Sequence, residues 1–139
     1  MACSGRKIQK SEIIGPYVMS TFVCLGNMKK PFYRLVDLVD QHSSYLPKPI
    51  VFQHGHTSIE TINSTDITFF DFFDSTKFNE CINKAQVCIG HAGAGFVLNC
   101  LINKKKPMLI ARQKKHDEHV DDHQVEFSNY LFQENFSYE

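Results

Sequence analysis

Residues 89–101, "IGHAGAGFVLNCL", decide how this chain is read. The apolar, β-branched run "QVCIGH" leading into them suits a buried strand. Gly90, Gly93 and Gly95 then make a turn of small residues, and "GAGFVLNCLINKKK" carries apolar residues at helical spacing. Such a turn lets backbone N–H groups approach a ligand, and the helix behind it offers unpaired donors and the positive end of its dipole. A diphosphate is the obvious guest. The spacing is neither G-x-G-x-x-G nor G-x-x-x-x-G-K-[ST], so neither the dinucleotide nor the NTP reading is supported. A tight turn that needs small residues only for packing fits the same spacing. His91, at its edge, reads as either a structural hydrogen-bonding residue or a catalytic one.

The same alternation runs outward on both sides. "YVMSTFVCLG" (17–26) is a β-branched and aromatic run closed by Gly26. "PFYRLVDLVDQH" (31–42) is a helix, with Pro31 suited to its start and Phe32, Leu35, Val36 and Val39 at i, i+3, i+4, i+7. "KPIVFQHG" (48–55) and "DITFFDFF" (66–73) are the second and third strands. "STKFNECINKA" is a helix capped by Ser75 or Thr76. "KPMLIA" is a fifth strand, and a last helix runs from about Glu118 to Phe132. Strands of nearly continuous apolar residues alternating with helices predict an α/β fold, a Rossmann-like parallel sheet covered by helices on both faces. Ligands of such sheets bind outside the carboxyl ends of the strands. Here those ends are Gly26–Asn27, Gln53–His54–Gly55, Gly90 to Gly95, and Arg112–Gln113.

At 139 residues the chain has room for one core. Fifteen basic residues balance fifteen acidic ones, so no global field draws it to nucleic acid, and no basic stripe interleaved with aromatics appears. The five cysteines form no CxxC pair, which predicts reduced, mostly buried thiols and a cytoplasmic protein. No apolar run approaches the ~20 residues that span a bilayer. Residues 1–18 read as a poorly ordered leader, and 19–139 as the domain.

One stretch resists a single reading. "RQKKHDEHVDDHQVEF" (112–127) mixes basic residues, five carboxylates and three histidines. His116, His119 and His123 fall at i, i+3, i+7, which admits a Zn²⁺ site, but the H-E-x-x-H pattern is absent. A solvated helix would also carry this run. Its position after the last strand, on the ligand-binding edge, favours the rim of a pocket.

Three segments together resemble a known group: "VCLGNMKKPFYRLVDLVD", "CIGHAGAGFVLNCLINKKKPMLIARQKK" and "EHVDDHQVEF". They are similar to the PssE-type single-domain glycosyltransferase subunits, which resemble the soluble subunit of the eukaryotic dolichol-linked UDP-GlcNAc transferase. Both correspond to the C-terminal, nucleotide-sugar-binding half of a family 28 glycosyltransferase of GT-B fold. The resemblance implies a split enzyme, with this chain as the donor-binding, catalytic subunit of an inverting hexosyltransferase. A membrane-anchored partner would supply the acceptor half, and the acceptor would be a lipid-linked sugar in polysaccharide or glycolipid synthesis. The chain would work at the cytosolic membrane face, recruited through that partner.

Residue by residue, the resemblance places Gly26 and Asn27 on the first phosphate-side loop. His91, Ala92, Gly93, Ala94 and Gly95 would form the second loop, with His91 the catalytic candidate. Arg112 and Gln113 would lie near the uracil or ribose, and Asp122, His123 and Gln124 would reach the donor sugar. UDP-sugar is the substrate; no cofactor and no metal are implied. Members commonly carry Glu where this chain has Asn99, and the first loop is "LGN" where V-G-T is usual. Related chains tend to begin at the position of Met19 and to continue further past "HQVEF". These departures keep a second expectation open, a non-catalytic partner of the same fold that does not bind the donor.

Overall fold

The computed structural model describes residues 20–138, so the expected leader, Cys3 and the first residues of the opening strand lie outside it. Five short strands form one parallel sheet: β1 Thr21–Cys24, β2 Ile50–Gln53, β3 Ile67–Phe70, β4 Val87–Gly90 and β5 Met108–Leu109. Their order is β3-β2-β1-β4-β5, so the chain runs outward from β1 to one edge and then returns to cross to the other side. That reversal lies between β1 and β4, whose register pairs Thr21 with Val87 and Cys24 with Gly90. It leaves a crevice at the carboxyl ends of these two strands.

Period-two alternation along β1 feeds two separate cores. Phe22 and Cys24 face one side, where they meet Cys81 and Ile82 of α2 (Ser75–Lys84), Phe96, Val97 and Cys100 of α3 (Ala94–Ile102), and Leu131 of α4 (His123–Gln133). Val23 and Leu25 face the other side, packed with Phe52, Phe69 and Ile89 under Leu35, Val36 and Val39 of α1 (Tyr33–His42). Every expected core position of α1, including Phe32, is buried. The four described cysteines are free and buried. Burial pushes the thiols of Cys24 and Cys81 up to about 12, which keeps them protonated.

Three local expectations are corrected. Asp74, rather than Ser75 or Thr76, caps α2: its carboxylate accepts from Lys77 N at 2.9 Å. A capping side chain bonds the amide of the second or third helical residue, and Lys77 is the third residue after Asp74. The fifth strand pairs over Met108–Leu109 only. The last helix begins at His123, not near Glu118. A 3₁₀ turn at Lys114–His116 ends in Asp117 with φ 55°, a left-handed backbone that a continuing helix does not permit. Glu118 behind it is buried, its carboxylate bonded to Gln113 N and to Arg34.

Candidate functional site

The crevice between β1 and β4 opens into a cleft of about 520 Å³. Gly26 and Asn27 from the β1 loop, His91, Gly93, Ala94, Gly95 and Asn99 from the β4–α3 segment line it together. Gln53, Phe72, Phe73, Ser75 and Phe78 form its other wall. The strand-end rule points to Gln53, whereas the aromatic wall carried no sequence signal beyond membership of an apolar strand end.

Backbone geometry explains the glycines. Gly26 has φ +81°, and a Cβ there would lie 2.6 Å from His91 Nε2. A Cβ on Gly93 would lie 2.0 Å from His91 Cε1. The imidazole therefore fills the volume that the two loops leave empty, with its ring stacked on Phe96 at 6.2 Å between centroids. Gly95 differs: a Cβ there would meet nothing within 4 Å. Its bare backbone faces open cleft. Gly93 is the N-cap of α3 and offers no side chain to the helix's first amides, so the donors of Ala94, Gly95 and Phe96 have no side-chain cap.

His91 is held in one protonation state. Burial, then the nearby charge of Arg112 and then His119, push its pKa down to about 4, so the ring is neutral at physiological pH. Gln124 Oε1 accepts from Ala92 N at 3.2 Å and Arg112 N at 3.1 Å. Its amide nitrogen must then face His91 Nδ1, 3.3 Å away. An amide N–H can only donate, so Nδ1 accepts and the ring proton resides on Nε2, on the side of Gly26.

The remaining expected site residues do not line the cleft. Arg112 is among the largest fully buried side chains. Its guanidinium donates to the carbonyls of Leu25 (2.7 Å), Lys30 (2.8 Å) and Glu118 (3.1 Å) and lies over Phe32 at 4.8 Å. It thus ties the β1 loop to the segment after β5. Gln113 sits half-buried in that segment, its amide on Glu118. Gln124 is buried beneath His91. Asp122 and His123 are exposed; Asp122 accepts from Lys114 N, and His123 Nδ1 lies 3.2 Å from Asp121. Asp121 also takes His119 Nδ1 at 3.1 Å. Among the described residues no group of three His, Cys, Asp or Glu side chains is arranged to hold a metal ion. The ion pair Arg34–Glu118, 2.8 Å apart, was missed from sequence because its partners lie 84 residues apart.

Asn99 lines the cleft from the second turn of α3. Its amide nitrogen donates back to Gly95 O at 2.8 Å, which leaves the oxygen end for a ligand.

The family whose model matches, over residues 27–139, is the glycosyltransferase family 28 C-terminal domain. Two curated relatives carry the name UDP-N-acetylglucosamine transferase subunit ALG13. The one from Candida albicans is 27% identical over 88 residues, 63% of this chain and 29% of that protein. The one from Yarrowia lipolytica is 28% identical over 114 residues, 73% of this chain and 55% of that protein. This chain therefore spans about half or less of the length of those relatives. Among solved structures, the glycosyltransferase SnogD from Streptomyces nogalater superposes with a TM-score of 0.61 at 12% identity, over 85% of this chain and 31% of that one. The calicheamicin glycosyltransferase CalG4 gives 0.59 at 16%, over 90% and 31%. The fold is that of the C-terminal half of a GT-B glycosyltransferase. No helix among the described residues is long and apolar enough to cross a membrane.

Proposed function

We infer that this chain, which belongs to the glycosyltransferase family 28 C-terminal domain family, is the donor-binding, catalytic subunit of a two-chain UDP-sugar glycosyltransferase. The observation that carries this reading is the uncapped N-terminus of α3 facing open cleft at Gly95, with His91 Nε2–H beside it. That arrangement suits a pyrophosphate: aligned backbone donors, the positive end of a helix and one neutral N–H. Phe72 and Phe73 at the far wall offer a ring-sized apolar surface for a base, and the Asn99 oxygen can accept from a ribose hydroxyl.

In the reaction, the acceptor hydroxyl attacks the anomeric carbon, the bond from that carbon to the phosphate oxygen breaks, and UDP departs with the electron pair. Negative charge grows on the diphosphate as this happens. Donors already aimed at it stabilise the transition state without reorganising. His91 then serves as a hydrogen-bond donor to phosphate rather than as the base, since its accepting nitrogen is occupied by Gln124. The hydroxyl proton leaves to a base on a membrane-anchored partner that also holds a lipid-linked acceptor. The relatives' printed name, a subunit of a UDP-GlcNAc transferase, supports this division of labour and a hexosyl donor. Arg112, Gln113 and Gln124 act by holding the loops, and Asp122 and His123 lie exposed, outside the residues that line the cleft.

A second reading has one observation in its favour. Where a carboxylate would grip both ribose hydroxyls, Asn99 offers a single oxygen, with its nitrogen committed to Gly95. A partner subunit that does not bind the donor would tolerate this. Calorimetric titration with UDP separates the two. Saturable binding that Gly95→Val abolishes, with thermal stability unchanged, is expected of the catalytic reading. A native fold with no UDP affinity, alone and with the partner chain, would hand the function to the scaffold.

A further inference from the structure

Building on the donor-site reading above, we propose that Gln53 is a positioning residue for the donor. It fixes the peptide between Gly26 and Asn27 so that the Asn27 amide is left to the donor's phosphate.

Gln53 ends β2, the strand between β1 and β3, and is 4% exposed. Its side chain bridges the ends of all three strands. Oε1 accepts from the Cys24 thiol at 3.2 Å, a group that burial keeps protonated. Nε2 donates to Asp71 O at 2.6 Å, just past β3, and to Gly26 O at 3.4 Å, just past β1. The thiol donates and the two carbonyls only accept, so these partners allow one orientation of the amide. Both of its hydrogens are then taken up inside the protein. Gln53 therefore lines the cleft without a hydrogen left to give a ligand.

Gly26 O is also approached by Gly55, which has φ +58° and on which a Cβ would run into that oxygen. Glycine at 55 makes room for the carbonyl to turn toward β2, and Gln53 holds it there. The Gly26–Asn27 peptide is trans, so the Asn27 N–H points the opposite way from Gly26 O. Among the described residues this amide has no hydrogen-bond acceptor, and Asn27 lines the cleft together with His91 and Gly95. A fixed backbone donor without a protein partner suits an anionic phosphate oxygen. Released from Gln53, a peptide bounded by glycine is free to flip, which would set an oxygen against the anion in place of the N–H.

The test is a UDP titration of the full chain, followed by calorimetry and by the NMR amide signals of Asn27 and Gly95. Both amides are expected to shift in the wild type. Gln53→Met, close in length but without donors, should weaken UDP binding by about tenfold, the share of one hydrogen bond to a charged group. At saturating UDP its Asn27 amide should no longer respond, whereas its Gly95 amide still should. Gly55→Ala displaces Gly26 O from its other neighbour and should give the same pattern, which keeps the test open if Gln53→Met does not fold. Val39→Ala, a truncation in the core under α1, should lower the melting temperature and leave the affinity and both shifts unchanged. Wild-type UDP affinity in folded Gln53→Met overturns the proposal. So does weakened binding in which the Asn27 shift persists, or in which both shifts are lost, since either assigns Gln53 to general stability. A wild-type chain that binds no UDP would sink the donor-site reading and this inference together, whereas wild-type binding that Gln53→Met retains would sink this inference alone.

Discussion

The side-chain amide of Gln124 lies 3.3 Å from the ring nitrogen Nδ1 of His91, and its oxygen simultaneously holds the amides of Ala92 and Arg112. One glutamine thus sets the glycine loop, the segment after β5 and the tautomer of the histidine between them. Gln124→Ala would leave two buried amides without acceptors, at about 1–3 kcal/mol each. Urea unfolding should show a loss of roughly 2–6 kcal/mol, accompanied by weaker UDP binding. Gln124→Glu keeps both acceptors but loses the donor to Nδ1. It should recover most of the stability yet alter UDP affinity and its pH dependence.

The depressed pKa of His91 predicts acid sensitivity. In the folded chain it titrates near pH 4, and in the unfolded chain near the ordinary value of 6.5. Between these values the unfolded state binds more protons, so stability rises with pH. The contribution is fully present above about pH 6.5 and is lost as pH falls through 4. It amounts to about 3 kcal/mol at most. Denaturation midpoints measured across this range should fall on acidification, and His91→Gln should flatten the slope.

Arg112 is expected to be a structural clamp. Arg112→Met keeps much of the stem over Phe32 but strips the donors from the carbonyls of Leu25, Lys30 and Glu118. A loss of about 3–5 kcal/mol is expected in urea unfolding, the range for breaking a buried charged network. Faster amide exchange should appear in both 26–31 and 112–118. Exchange confined to one loop would contradict the clamp.

Neighbouring glycines should respond differently to one added methyl. Gly90→Ala would press on the Phe96 ring at 2.5 Å and Cys24 O at 2.9 Å, and Gly93→Ala on the His91 ring at 2.0 Å. Both should lower the melting temperature, with an overpacking cost of about 1–3 kcal/mol. Gly95→Ala meets open space and should melt at or above the wild-type temperature, because alanine favours the helix.

Glu118→Gln tests the missed ion pair. It removes the charge that pairs with Arg34 while keeping the shape that accepts Gln113 N. Arg34 is 37% exposed and can rehydrate, so a loss of about 1–2 kcal/mol is expected. Loosening should concentrate in 113–118 and be visible as proteolysis after Lys114 or Lys115.

What could be read in the chain followed from its local patterns. The run of Leu35, Val36 and Val39 placed α1 correctly because helical spacing depends on neighbours within two turns. "IGHAGAGFVL" located the strand, turn and helix of the cleft for the same reason. The start of the last helix was misplaced because 112–122 has helix-compatible composition. Its backbone is instead bent at Asp117 and held by a carboxylate that reaches α1.

The sequence by itself determined the alternation of strands and helices, the glycine loop and the positions of the strand ends, outside which such sheets generally take their ligands. Short-range periodicity and the steric freedom of glycine are properties of the chain alone. Only the tertiary structure decided what the polar residues near that loop do. It buried Arg112 against three carbonyls, turned Gln124 beneath His91, and separated Asp122 and His123 from the cleft. Side-chain roles of this kind depend on which distant carbonyls and amides lack partners once the backbone has closed. That demand exists only after residues 82 to 87 positions apart have met.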